Sequence, residues 1–146
     1  MTEIDFSKES GIPNSESNRR QECYLTLLKN ILFNDKKFEE IPHKEIDNIF
    51  SIPEKFKELE ESFKEIFSRR KGKASLSEDE KTALTKWYGL EKGEAYYKYS
   101  DGYEKIGQEL KASSFQTGRI INRAFEKLRK PENLNLLPQE AKKLLT

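Results

Sequence analysis

Cysteine and histidine are almost missing from this sequence, which has one of each among its 146 residues, Cys23 and His43. A single cysteine cannot form a disulfide within the chain, and this favours a reducing compartment. No stretch is long and apolar enough to span a membrane, and the first residues lack the pattern of a signal peptide. We therefore expect a cytoplasmic protein.

Residues suited to catalysis or metal binding are also scarce. Cys23 has no histidine or cysteine at metal-ligand spacing, and His43 stands alone in a polar stretch after Pro42. Carboxylates are plentiful, but they alternate with lysines in a way that is typical of solvated helix faces. A glycine-rich phosphate loop is absent. We predict neither an enzyme nor a bound cofactor or metal.

Charge of one sign is not in excess over the whole chain, because 27 Lys and Arg balance 26 Asp and Glu to a net charge of +1. The excess is local: residues 105–130 have seven basic side chains against two acidic ones, a charge of +5. Such a segment is typical of a phosphate-binding surface, although a solvated basic helix has the same composition. The basic residues are Lys105, Lys111, Arg119, Arg123, Lys127, Arg129 and Lys130.

The apolar residues recur at helical spacing and no stretch alternates as a strand would, so we predict an all-α fold of roughly six helices. Residues 1–18 are polar and are expected to form a flexible arm. Residues 19–73 are predicted as an N-terminal helical region, with helices at 17–33, from Pro42 to 50 and from Pro53 to 70. The third helix has an apolar stripe that we interpret as ordinary core, formed by Phe56, Leu59, Phe63, Ile66 and Phe67.

A basic linker at 68–73 leads into a second predicted region at 74–146. Ser77 and Glu80 match a capping box at the start of a helix, and Gly89 is placed to end that helix in a left-handed conformation. A further helix is predicted at 101–110, with Tyr103, Ile106 and Leu110 facing inward. Its Gly107 would allow close approach of the next helix.

A turn at 111–113 and a basic helix from Ser113 to about residue 128 complete this pattern. A glycine is usual at the first turn position, so a left-handed backbone would cost Lys111 about 1 kcal/mol. The face of the last helix with Phe115, Gly118, Arg119 and Asn122 is expected to point outward. Two helices joined by a tight turn, the second basic on its outer face, form the geometry of a DNA-reading helix-turn-helix.

Several short segments are specific at their spacing: residues 76–80 (LSEDE), 88–90 (YGL), 103–110 (YEKIGQEL) and 124–129 (AFEKLR). Together they resemble region four of bacterial sigma factors, the C-terminal helix-turn-helix domain of that family. The resemblance implies docking on the β flap of bacterial RNA polymerase and reading of the upstream promoter element in double-stranded DNA. It places polymerase binding at Trp87, Tyr88 and Leu90. The DNA-binding residues expected in this way are Lys105, Ser113, Ser114, Phe115, Arg119, Asn122, Arg123, Lys127 and Arg129.

The sequence departs from the family where bases are read. Ser114, Phe115, Gly118 and Arg119 stand where primary sigma factors have an Arg-Glu pair and an Arg-Gln pair, and residues 1–73 contain no aromatic-rich segment for promoter melting. Two hypotheses follow. The chain is a DNA-binding transcription regulator resembling a stand-alone sigma region four, or it is a polymerase-binding adaptor that has lost specific DNA reading. The basic side chains Arg123, Lys127 and Arg129 favour the first hypothesis. The residues at 114, 115 and 118 favour the second.

Overall fold

All regular structure within residues 15–144, the part of the chain that the computed structural model describes, is helical, and side chains are described from residue 19 onward. The all-α class is therefore confirmed. Single 3-10 turns occur at Phe38–Glu40 and Tyr96–Lys98. The helices are α1 (Ser15–Leu32), α2 (His43–Phe50), α3 (Pro53–Ser68), α4 (Glu78–Tyr88), α5 (Gly102–Leu110), α6 (Ser114–Leu128), α7 (Pro131–Leu134) and α8 (Gln139–Lys143).

The helix ends follow local signals in the sequence. The capping box of α4 is present with both of its hydrogen bonds, and Gly89 ends the helix at φ 70°. Pro42 precedes α2 as its N-cap instead of lying in its first turn, and α3 ends at Ser68, short of the expected residue 70. The short helices α7 and α8 were not predicted. Of the expected arm, residues 1–14 lie outside the described range, whereas residues 15–18 belong to α1.

The main hydrophobic cluster joins helices from both predicted regions. Leu59, Phe63 and Ile66 of α3 are buried, and Phe56 and Phe67 pack half-buried against the cluster. The stripe of α3 is therefore ordinary core, as predicted. The cluster also crosses the expected boundary at residue 73. Its fully buried members include Leu27 and Leu28 of α1, Phe50 of α2, Leu84 of α4, Ala124 and Leu128 of α6, and Ala141 of α8.

A second, smaller cluster holds α4, α5 and α6 together. It consists of the buried side chains of Ala83, Ile106 and Ile121, one from each helix, with Trp87 and Leu110 packed against them. This arrangement positions α6 with one face buried and the other exposed. No helix within residues 15–144 has both the length and the apolar character needed to cross a membrane.

Candidate nucleic-acid interface

The turn between α5 and α6 spans residues 111–113, and its first and last residues have distinct roles. Lys111 adopts the expected left-handed conformation, at φ 59°. The Ser113 hydroxyl oxygen accepts a hydrogen bond from the Gln116 backbone N–H at 3.1 Å, and the Gln116 side chain accepts one from the Ser113 N–H at 3.0 Å. Ser113 was expected to contact DNA, but this capping box gives it the separate task of starting α6.

Gly107 allows α5 and α6 to lie in direct contact. A Cβ atom added there would lie 2.5 Å from the Ala112 carbonyl oxygen and 2.8 Å from the Thr117 hydroxyl oxygen. Thr117 is fully buried, and its hydroxyl donates a hydrogen bond to the Ser113 carbonyl at 2.8 Å. The orientation of α6 therefore depends on a contact that only glycine permits at position 107.

The outer face of α6 brings together five of the predicted DNA-binding residues: Ser114, Phe115, Arg119, Asn122 and Arg123 are all exposed. Phe115 is 68% exposed, and the Arg119 guanidinium lies 5.8 Å from the centre of its ring. An exposed apolar ring beside a guanidinium offers both an apolar contact and a hydrogen-bonding fork.

Gly118 was expected on the same outer face, but it is buried. The ring of Tyr103, from α5, covers it, and a Cβ at position 118 would lie 3.1 Å from the Tyr103 Cε2 atom. Tyr103 was expected to face inward, yet it is 37% exposed and stacks on Trp87 with ring centres 4.7 Å apart. Tyr103 of α5 therefore lies at the surface beside the outer face of α6, although helical periodicity assigned it to the core.

Two of the predicted phosphate-binding cations are engaged within the protein. The Lys127 ammonium lies 2.8 Å from the Glu80 carboxylate, and the Arg129 Nε donates a hydrogen bond to the Ile31 carbonyl at 3.2 Å. Lys127 and Arg129 therefore each make a contact inside the fold, and their contact with DNA stays a prediction. The Lys105 ammonium lies over the Tyr99 ring, 4.7 Å from its centre, but Lys105 itself is exposed.

Three cations of the basic segment converge on one side of α6. Lys111, Arg119 and Arg123 line a groove of about 470 Å³ beside the start of α4, and none of the three has an ion-pair partner among the described side chains. Two acids border the groove, Asp79 and Glu80, and Glu80 is already neutralised by Lys127. Lys111 belongs to the basic segment at 105–130 but is not among the predicted DNA-binding residues, so its place in this groove is a finding of the structure.

The ion pair of Glu80 and Lys127 links the start of α4 to the end of α6. Glu80 is only 3% exposed. Burial alone would raise the pKa of this carboxyl, but the hydrogen bond from Lys127 and those from Ser77 outweigh it, so the pKa of Glu80 lies below its ordinary value of about 4.5. The charged form of Glu80 therefore stabilises the folded state.

We expect Lys127→Met to lower the free energy of unfolding by about 2 kcal/mol, because it leaves a buried carboxylate without its partner. Glu80→Gln preserves the cap and should cost about half as much. The pKa of Glu80 is lower in the folded state than its ordinary value of about 4.5. The contribution of Glu80 to the free energy of unfolding is therefore fully present above that ordinary value and is lost as the pH falls through the lower, folded-state pKa. Urea unfolding of both variants across this range measures these effects. Equal acid sensitivity of the wild type and Glu80→Gln would contradict the assignment.

The predicted polymerase-binding corner is mostly covered by α1. Tyr88 and Leu90 are 5% and 4% exposed, respectively. The Asn30 side chain donates a hydrogen bond to the Tyr88 hydroxyl at 3.1 Å, and the Arg20 Nε donates one to the Leu90 carbonyl at 3.2 Å. Tyr88 and Leu90 therefore belong to the core of this fold, and their contact with a polymerase stays a prediction. Trp87 keeps a half-buried surface.

A small pocket, here called the amide pocket, lies on the other side of α6 from the basic groove. It has a volume of about 230 Å³, and Ile121 and Phe125 contribute its apolar surface. None of the described residues that line it is charged. Its polar and aromatic lining consists of Asn30, Asn34, Asn122, Trp87, Tyr88 and Tyr103. The sequence did not predict this pocket, because its residues come from four different helices and the loop after α1 and form no local pattern.

Comparison of the chain with protein-family models, with curated proteins and with solved structures gave no match. What the interface binds is therefore inferred from its own side chains. They form an exposed helix face, with a basic groove on one side of it and an uncharged pocket on the other.

Proposed function

We propose that the chain is a DNA-binding transcription regulator that inserts α6 into the major groove and acts with RNA polymerase at promoters. One observation carries the proposal: Arg119 and Arg123 are exposed, without an ion-pair partner among the described residues, on a helix whose other face is fixed by α4 and α5. A helix of this kind, next to a tight turn and a preceding helix, is the arrangement with which helix-turn-helix proteins read DNA. The sequence resemblance to sigma region four supports the link to transcription.

The exposed side chains divide into two kinds of contact. Arg123, Lys111 and Lys105 are suited to phosphates, which fix the register of a protein on DNA without reading sequence. Arg119 and Asn122 are suited to base edges, since Arg pairs with guanine and Asn with adenine, and Phe115 is suited to a thymine methyl group. With so few base-reading groups, we expect low sequence specificity.

Fluorescence anisotropy with labelled duplexes tests this function. Binding to a random duplex should weaken linearly on a log–log plot of affinity against salt, with a slope of about −3 for three to four neutralised phosphates. Promoter-like duplexes should bind only modestly tighter than random ones. Absence of binding to every duplex at low salt would rule the function out.

A second candidate function, the polymerase-binding adaptor, is favoured by the exposed ring of Phe115. Large aromatic side chains at a surface are typical of protein interfaces. The β flap of RNA polymerase is proposed as the partner on the resemblance alone. In a pull-down with a purified flap fragment, the adaptor function predicts capture that Phe115→Ser abolishes. The regulator function predicts that Phe115→Ser leaves capture intact and alters DNA sequence preference.

A further inference from the structure

The chemistry of the amide pocket selects a particular kind of ligand. Its lining holds three side-chain amides, each with donors and an acceptor, next to the stacked rings of Trp87 and Tyr103. Because the described lining has no charged side chain, the charge of a bound phosphate or ammonium group would have no counter-charge there. A neutral planar ring with hydrogen-bonding edges fits both features, because it can stack on the aromatic rings and pair with the amides.

The polar groups of the pocket are only partly used within the protein. Asn30 donates to the Tyr88 hydroxyl, but Asn34 and Asn122 make no side-chain hydrogen bond with any described residue. Both are exposed at the surface. The volume of about 230 Å³ is below the roughly 300–1,000 Å³ of pockets for drug-sized ligands, which suits a single ring system.

The position of the pocket connects it to the outer face of α6. Asn122 belongs to both, and Tyr103 reaches from the pocket to the surface of α6 over Gly118. A duplex that lies along the outer face of α6 would therefore meet the edge of the pocket at Asn122. A base of that duplex could enter the pocket only by leaving its stack.

We propose that the amide pocket takes one unstacked nucleobase, with adenine preferred, from DNA that is bound along α6. The preference follows from the amide of asparagine, which pairs with adenine through a donor and an acceptor together. Extruding a base costs least where it is already unpaired, so the pocket favours bulged or mismatched sites over perfect duplex. This inference rests on the proposed DNA-binding function.

Trp87 makes the test specific, because it is the only tryptophan in the chain and it lies in the pocket. Three duplexes of one sequence are compared, namely fully paired, with a single bulged adenine, and with an abasic bulge at the same place. We expect the adenine bulge to bind about tenfold tighter than the other two, by the stacking and pairing of one base. It alone should quench Trp87 emission.

Variants separate the pocket from the rest of the interface. Asn34→Ala, which changes the pocket but not the outer face of α6, should remove the tenfold preference and the quenching. Tyr103→Phe, which preserves the ring, should retain the quenching. Arg123→Ala should weaken all three duplexes alike, since it removes a phosphate contact that they share. Equal binding and equal fluorescence with the adenine and abasic bulges would overturn the inference, because flexibility of the DNA would then explain the binding.

A titration with free adenosine tests base binding by the pocket independently of DNA binding by α6. If no duplex binds but adenosine quenches Trp87 in the wild type and not in Asn122→Ala, the proposed DNA-binding function fails and the base pocket stands. If adenosine has no effect and no duplex binds, both fail. Capture of a side chain from a protein partner would then be the remaining use of the pocket, contrary to the inference.

Discussion

Replacing Gly107 by alanine is expected to destabilise the fold by about 3 kcal/mol, the upper range for an overpacked site, and to abolish DNA binding. The added methyl group would lie 2.5 Å from the Ala112 carbonyl oxygen, a backbone atom in the turn that orients α6. The turn cannot yield without moving Ser113 and the start of the helix. Urea unfolding and anisotropy with a random duplex measure the two effects.

Gly118→Ala is the matched control, since it makes the same change one helix away. Here the nearest atom is the Tyr103 Cε2 at 3.1 Å, the edge of a side chain that can rotate. Alanine also favours a helix over glycine by about 1 kcal/mol, which offsets the closer contact. We expect little change in stability and retained DNA affinity. A Gly107→Ala protein as stable and active as Gly118→Ala would show that the close contact of α5 and α6 does not position α6.

Loss of both Arg119 and Arg123 is expected to lower DNA affinity on the order of 100-fold at low salt and to flatten the salt dependence by about one to two units of log–log slope. Both side chains are exposed and have no ion-pair partner in the described part of the chain, so alanine at these positions should leave the fold intact. Circular dichroism and salt titrations of binding by Arg119→Ala/Arg123→Ala check the fold and the affinity.

The control for charge alone is Lys57→Ala/Lys64→Ala, which removes two exposed cations from α3. If DNA binds at the outer face of α6, this variant should retain nearly all of the affinity, because its two lysines lie outside that face. If DNA were attracted only by the net charge of the protein, both double variants would lose affinity equally. An equal loss of affinity in both double variants would indicate that the chain attracts DNA without orienting α6 toward it.

Local signals in the sequence predicted most of the helix ends correctly. The predicted capping box at Ser77, the start of α6 at Ser113, the left-handed Gly89 and the close approach at Gly107 each depend on residues within a few positions of one another. Periodicity likewise identified the buried stripe of α3. The short helices α7 and α8 were missed, since four or five residues beside a proline show no helical periodicity.

The candidate site was harder to predict because the contacts that shape it join residues far apart in the sequence. Summing charges over residues 105–130 could not show that Lys127 pairs with Glu80, 47 positions away, or that Arg129 bonds to Ile31, 98 positions away. For the same reason the resemblance could not show that α1 covers Tyr88 and Leu90. Helical spacing assigned Tyr103 to the core, since nothing in the sequence of α5 shows that Gly118 leaves room for its ring.

The most direct measurement of the central claim is amide hydrogen exchange, followed by mass spectrometry, with and without a random duplex at low salt. We expect added protection in peptides that cover the turn at 111–113 and the first half of α6, with unchanged exchange in α2 and α3. Protection confined to α1–α3, or no change anywhere in the chain under conditions in which the duplex is bound, would contradict the claim that α6 is the DNA-binding helix.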